Sequence, residues 1–112
     1  QEKIAGYIRH MADLGISGFR VDAAKHIDAG ELGGILGKVG DLFRFMEVIG
    51  HGNEAVRPSE YYRLGHVTEF NFAPKVAENF QGRGKLQYLG NFGTAWGLMP
   101  HRNAVTFIDN HD

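Results

Sequence analysis

Four short apolar runs, set apart by amphipathic stretches, most constrain how this chain can fold. "ISGFRVD" (16–22), "LFRFMEVIG" (42–50), "HVTEFNF" (66–72) and "AVTFIDNHD" (104–112) each read as a strand. Between them the apolar spacing changes to that of a helix. Ile4, Tyr7, Ile8, Met11 and Leu14 recur every three or four residues and form one helical face, closed by Gly15 as a left-handed cap. Asp28 is placed to cap a second helix whose stripe is Leu32, Ile35, Leu36 and Val39. Gly33, Gly34 and Gly37 each cost that helix up to about 1 kcal/mol relative to Ala, so its ends are loosely specified. Pro58 opens a short helix through Leu64, and Pro74 starts another on which Val76 and Phe80 share a face. Residues 85–100, "KLQYLGNFGTAWGLMP", mix a helical turn with a Gly-rich loop.

Helices alternating with strands over short links predict a parallel sheet covered by helices. Polar residues gather at the carboxyl ends of the runs: Asp22, Glu47, Glu69 and Asp112. In a (β/α)₈ barrel that edge carries the active site. An open doubly wound sheet is the alternative, but no glycine phosphate fingerprint follows any of the strands. Four strands are too few to close such a barrel. The expectation is an α/β fold, a partial (β/α)₈ TIM barrel comprising roughly strands 4 to 7 with the intervening helices. The chain opens in mid-helix without a capping residue and stops at an apparent strand end. Residues 1–112 are therefore expected to be an internal fragment of the catalytic barrel domain of a longer enzyme.

Composition narrows the function classes. A formal net charge of −1 with no basic run argues against nucleic acid or an anionic membrane as partner. No apolar run approaches the roughly 18 residues that span a bilayer, and no basic-then-apolar leader opens the sequence. Cys is absent, which removes disulfides and thiolate chemistry.

The acids have contrasting settings. Arg20 lies two residues before Asp22, hence on the same strand face, and a guanidinium there keeps Asp22 ionised. The bland alternative is a buried ion pair of no catalytic use. Phe45, Met46, Val48 and Ile49 flank Glu47, and an isolated carboxylate among them would take up a proton to avoid desolvation. One carboxyl held charged and a second held neutral is the pattern for glycoside cleavage. Asp112 closes the fourth run as a third acid.

"GFRVDAAKH", "EVIGHGNEA" and "FIDNHD" resemble, in order and spacing, three short motifs of the α-amylase family of retaining glycoside hydrolases (glycoside hydrolase family 13). "GHVTEF" and "NFGTAWGLMP" look like the segments that chloride-dependent animal amylases and their bacterial relatives carry at these places, so the resemblance covers nearly all of the chain. It implies endo-hydrolysis of α-1,4-glucosidic bonds in starch, glycogen and related polysaccharides, with Asp22 as nucleophile, Glu47 as acid/base and Asp112 as the third acid. The fragment alone is expected to be inactive. The expected carboxyl separation is about 5–5.5 Å, against about 6.5–9.5 Å for inversion.

The same resemblance implies sugar contacts for His26 and His111, and roles beside the leaving-group subsites for Lys25 and Glu54. It makes Arg20 a substrate-binding residue and, with Asn110, a ligand of an activating chloride whose charge would sit beside Glu47. It also implies a structural calcium that takes the backbone carbonyl of His26, with its other ligands outside the chain. An α-glucan substrate, a secreted monomer when full length, and no nucleic-acid or membrane partner complete the expectation. His10, His51, His66 and His101 show no ligand spacing. The sequence departs from the animal pattern in the short stretch between His26 and Glu47, and at His51, where Gly is usual. An α-glucosidase or transglycosylase of the same family, or a non-catalytic sugar-binding relative, remains open. A metal-dependent hydrolase on a similar barrel would need a ligand cluster such as His-x-His at a strand end, and none appears.

Overall fold

The structure, a computed structural model, describes residues 1–50 and 52–112; His51 and the departure noted there lie outside the described residues. Helix α1 (Glu2–Asp13) leads into β1 (Gly18–Val21), then α2 (Ala29–Leu36), β2 (Phe43–Met46), β3 (His66–Thr68), α3 (Phe72–Phe80) and β4 (Ala104–Val105). Short 3₁₀ turns fill the links at Ala24–His26, Pro58–Tyr61, Leu86–Asn91 and Thr94–Trp96. All three strand pairings are parallel, and the sheet order is β1-β2-β3-β4. A doubly wound sheet reverses strand order at a switch point. This one runs in sequence order throughout, as an arc of a barrel does.

The local signals act as their chemistry requires. Gly15, at φ 103°, ends α1 and its N–H donates to the Ala12 carbonyl. The Asp28 carboxylate accepts from the Gly30 and Glu31 N–H groups at 2.8 and 3.1 Å, capping α2. That helix stops at Leu36, short of Val39, within its glycine-rich stretch, yet Val39 still packs against Ala5 and Ile35.

Alternation gives the sheet two distinct faces. Phe19, Val21, Met46, Val48 and Val67 face the helices, where they pack with Leu32, Leu36, Tyr61, Leu64 and Met99 in the main core. Arg20, Asp22, Phe45, Glu47, His66 and Thr68 alternate with these and take the opposite face. Phe43 stacks there on His66 and lies near Phe45, with ring centroids 5.3 and 6.3 Å apart. Tyr61 is buried, and its hydroxyl donates to the Ile27 carbonyl at 2.8 Å.

One expectation is corrected. The strands are shorter than the apolar runs, most of all β4, which stops at Val105 and leaves Asp112 well beyond any strand. The side-chain oxygens of Asp109 and Asn110 accept the N–H groups of Asn110 and Asp112 at 2.9 and 2.7 Å, local bonds that compete with a ladder. The apolar face of α1 is also largely uncovered: Ile4, Tyr7 and Leu14 are exposed, and among the stripe's neighbours only Ala5 is buried. Ile4, Tyr7 and Met11 border a hollow of about 390 Å³ with Phe19 and Leu42.

Candidate active site

β1 and β2 end one residue before an acid each. Val21 pairs with Met46, so Asp22 and Glu47 emerge side by side at the carboxyl edge, on the face opposite the core. Arg20 approaches both. Its Nη2 lies 2.9 Å from Asp22 Oδ1 and 2.9 Å from Glu47 Oε1. Two oxygens that share one nitrogen in this way cannot be farther apart than twice that distance. That bound falls short of the roughly 6.5 Å at which inverting pairs begin.

The backbone after Asp22 turns sharply. Ala23 adopts φ 46°, ψ 40°, the left-handed region, and is the sole non-glycine with positive φ among the described residues. This turn points the Ala23 N–H at Glu47 Oε2, 2.7 Å away. The Glu47 N–H donates to the Val21 carbonyl at 2.9 Å, and the Ala24 N–H donates to the Glu47 carbonyl at 3.0 Å. Glu47 is thus fixed to the β1 side through backbone and side chain together. Its carboxyl is 7 % exposed but not isolated. Sequence neighbours suggested a group held neutral by apolar surroundings alone; the fold instead directs a guanidinium and an amide at it. Asp22 is 73 % exposed, and its Oδ2 carries no hydrogen bond among the described residues.

The other expected residues divide by position. Lys25 Nζ meets Glu54 Oε2 at 3.0 Å and the Ile49 carbonyl at 3.3 Å, tying the link after β1 to the link after β2. His26 is exposed in the adjoining 3₁₀ turn. Asn110, His111 and Asp112 form a local group in which His111 Nε2 lies 3.7 Å from Asp112 Oδ1. Among the described residues no hydrogen bond or ion pair joins that group to Asp22 or Glu47.

Among the described residues the side chains do not by themselves complete a site for either ion. No cluster of three His, Cys, Asp or Glu side chains suited to a metal occurs among the described residues. A calcium on the His26 carbonyl would take its remaining oxygen ligands from elsewhere. Arg20 spends Nη2 on two carboxylates, and no contact joins it to Asn110 among the described residues. Those two residues alone do not make an anion site.

Two features of the site escaped the sequence reading. One is the left-handed Ala23, which no local signal announces. The other is the inward orientation of Glu69, which shares a strand-end position with the acids, as the sequence indicated, but not their face. Glu47 stands opposite Thr68, so Glu69, one residue further on, turns toward the core. It is 3 % exposed and accepts the Asn71 and Met99 N–H groups at 2.9 and 2.7 Å. Burial first, and then the Glu69 charge, pushes the Tyr62 phenol above its ordinary value.

No family model matches the chain. Over 124 aligned positions it is 42 % identical to the α-amylase-related proteins of Drosophila atripex and Drosophila ercepeae, covering all of this chain and 25 % of each of those. Wild-type α-amylase I from Eisenia fetida has the same fold over 96 % of this chain and 24 % of its own, with TM-score 0.90 and 36 % identity. A Glu-to-Gln variant of that enzyme, in complex with maltohexaose, gives 0.91 at the same identity and coverage. The four parallel strands are accordingly part of a (β/α)₈ barrel. No helix among the described residues is long and apolar enough to cross a membrane. In sequence and in fold this chain is similar to α-amylase-related proteins and to α-amylase I, and it spans about a quarter of their length.

Proposed function

We propose that the full-length protein hydrolyses internal α-1,4-glucosidic bonds of starch-like glucans with retention of configuration. The observation that supports this reading is the contact of one Arg20 nitrogen with both Asp22 and Glu47, which holds one oxygen of each carboxyl closer together than the inverting range. Asp22 Oδ2 attacks the anomeric carbon while the glycosidic carbon–oxygen bond breaks, and the Glu47 proton passes to the leaving oxygen. Glu47 then takes a proton from water as the water oxygen displaces Asp22, releasing the sugar. Asp112 and His111 would bind sugar hydroxyls, and Lys25, Glu54 and His26 would line the leaving-group side. Chloride and calcium would need partners from the rest of the protein, and no step above depends on them. Secretion as a monomer follows the same reading. Residues 1–112 alone are expected not to clear starch, since the face carrying the acids is open along Phe43, which is exposed.

The test is expression of the full reading frame with starch, pullulan and maltose as substrates, following the first anomer released by NMR. Release of the α-anomer from starch, and loss of about 10²–10⁴-fold in rate for Glu47→Gln, are expected. The β-anomer, or an Asp22→Asn variant with unimpaired rate, would overturn the reading. Preference for maltose, or transfer to sugar acceptors in place of water, would identify an α-glucosidase or transglycosylase instead. Binding without turnover would identify a sugar-binding protein.

A further inference from the structure

We propose that Thr68 is a positioning residue for Glu47, its hydroxyl clamping the backbone on both sides of the acid; this rests on the reading of Glu47 as the acid/base. The β2–β3 ladder ends at the pair Met46–Val67. Glu47 and Val48 lie beyond it, where the chain leaves the sheet. Val48 is 1 % exposed, so its N–H has no water to bond. Thr68, also buried, supplies the partner. Its Oγ1 accepts the Val48 N–H at 3.1 Å and donates to the Met46 carbonyl over a longer 3.4 Å. A hydroxyl carries one donor and two acceptor sites, which permits both bonds at once.

These contacts sit on either side of Glu47. From the β1 side the acid is held by its own backbone and by the Ala23 N–H. From the β3 side the Thr68 hydroxyl is the sole hydrogen bond reaching residues 46–48 from a side chain among the described residues. Without it, the buried Val48 N–H loses its partner, the β3 side of the segment is released, and Glu47 can tilt about its β1 anchors, shifting its carboxyl relative to Asp22. Misplacement of a reacting group by about 1 Å can cost about 10²-fold in rate. A valine at this position keeps the shape and removes both bonds, while serine keeps the bonds and removes a methyl group.

The experiment uses the full-length protein as wild type, Thr68→Val and Thr68→Ser, with starch kinetics and amide hydrogen exchange at Val48. For Thr68→Val, kcat is expected to fall about tenfold or more with KM within about twofold, and Val48 exchange to speed up about tenfold. Thr68→Ser is expected within about twofold of wild type in both readouts, which a purely space-filling role for the residue would not produce. Wild-type kcat and Val48 protection in Thr68→Val overturn the proposal, as does a Thr68→Ser variant as impaired as Thr68→Val. Wild-type protein without glucan hydrolysis removes the functional reading instead. The exchange result then decides the clamp by itself: protection lost in valine and kept in serine sustains it, and equal protection in all three removes it.

Discussion

Arg20 stands at the same distance from two carboxylates in very different surroundings, so removing it separates the effect of burial from that of distance. Arg20→Met keeps most of the aliphatic stem and deletes the cation. Both contacts are 2.9 Å long, yet the Asp22 side chain is 73 % exposed and that of Glu47 only 7 %. Water and salt screen the first pair, which should contribute under about 1 kcal/mol. The second is a charge-assisted hydrogen bond largely removed from solvent, worth about 1.5–3 kcal/mol. Double-mutant cycles isolate each interaction. Urea unfolding of the full-length protein at neutral pH, with Arg20→Met, Glu47→Leu and the pair, should give a coupling of about 1.5–3 kcal/mol. The cycle with Asp22→Asn should give under about 1 kcal/mol. In about 1 M salt, where the screening length falls to about 3 Å, the Asp22 coupling should shrink toward zero while that of Glu47 largely survives. Equal couplings, or a larger one at Asp22, would refute the assignment of the interaction energy to burial.

Three further outcomes follow from the geometry. Glu69→Ala leaves the Asn71 and Met99 amides without their acceptor, and urea unfolding should show a loss of about 2–5 kcal/mol, with limited proteolysis near residues 94–100 accelerated. Burial raises the Tyr61 phenol above its ordinary value, so the folded state favours the neutral form. That contribution is complete below the unfolded pKa of about 10 and is lost as pH rises through the folded value. The urea midpoint should thus decline on the alkaline side, and the decline should be shallower in Tyr61→Phe. At Ala23 the left-handed backbone costs about 1–2 kcal/mol for an ordinary side chain, so Ala23→Gly should be neutral or stabilising in thermal melts and Ala23→Val destabilising. The reverse order would dismiss strain at this turn.

What could be read from the sequence was local. The Asp28 cap, the Gly15 terminator and the Arg20–Asp22 pair each depend on residues within three positions of one another, and each is present. Strand order followed from the alternation of periodicities. What failed needed register. The greasy neighbours of Glu47 in sequence implied isolation, whereas the pairing of Val21 with Met46 brings Arg20 and the Ala23 amide onto its carboxyl from another strand. Glu69 shares with Glu47 a place at the end of an apolar run, and the sequence does not say which face either takes. A single residue of offset between β2 and β3 turns one toward the concave face and the other into the core. The fourth run read as a long strand because apolar content says nothing of the Asp109 and Asn110 side chains bonding their own backbone.

One guanidinium cannot neutralise two ionised acids. In the proposed mechanism Glu47 enters with its proton, and until that proton is given up Arg20 and Asp22, 2.9 Å apart, balance each other. Once that proton departs with the leaving group, the same three side chains carry an excess of negative charge, at the moment the sugar ring becomes cationic. In the proposed mechanism, the forked contact of Arg20 therefore acts as an electrostatic timer, withholding attraction from the neutral substrate and releasing it to the oxocarbenium-like species.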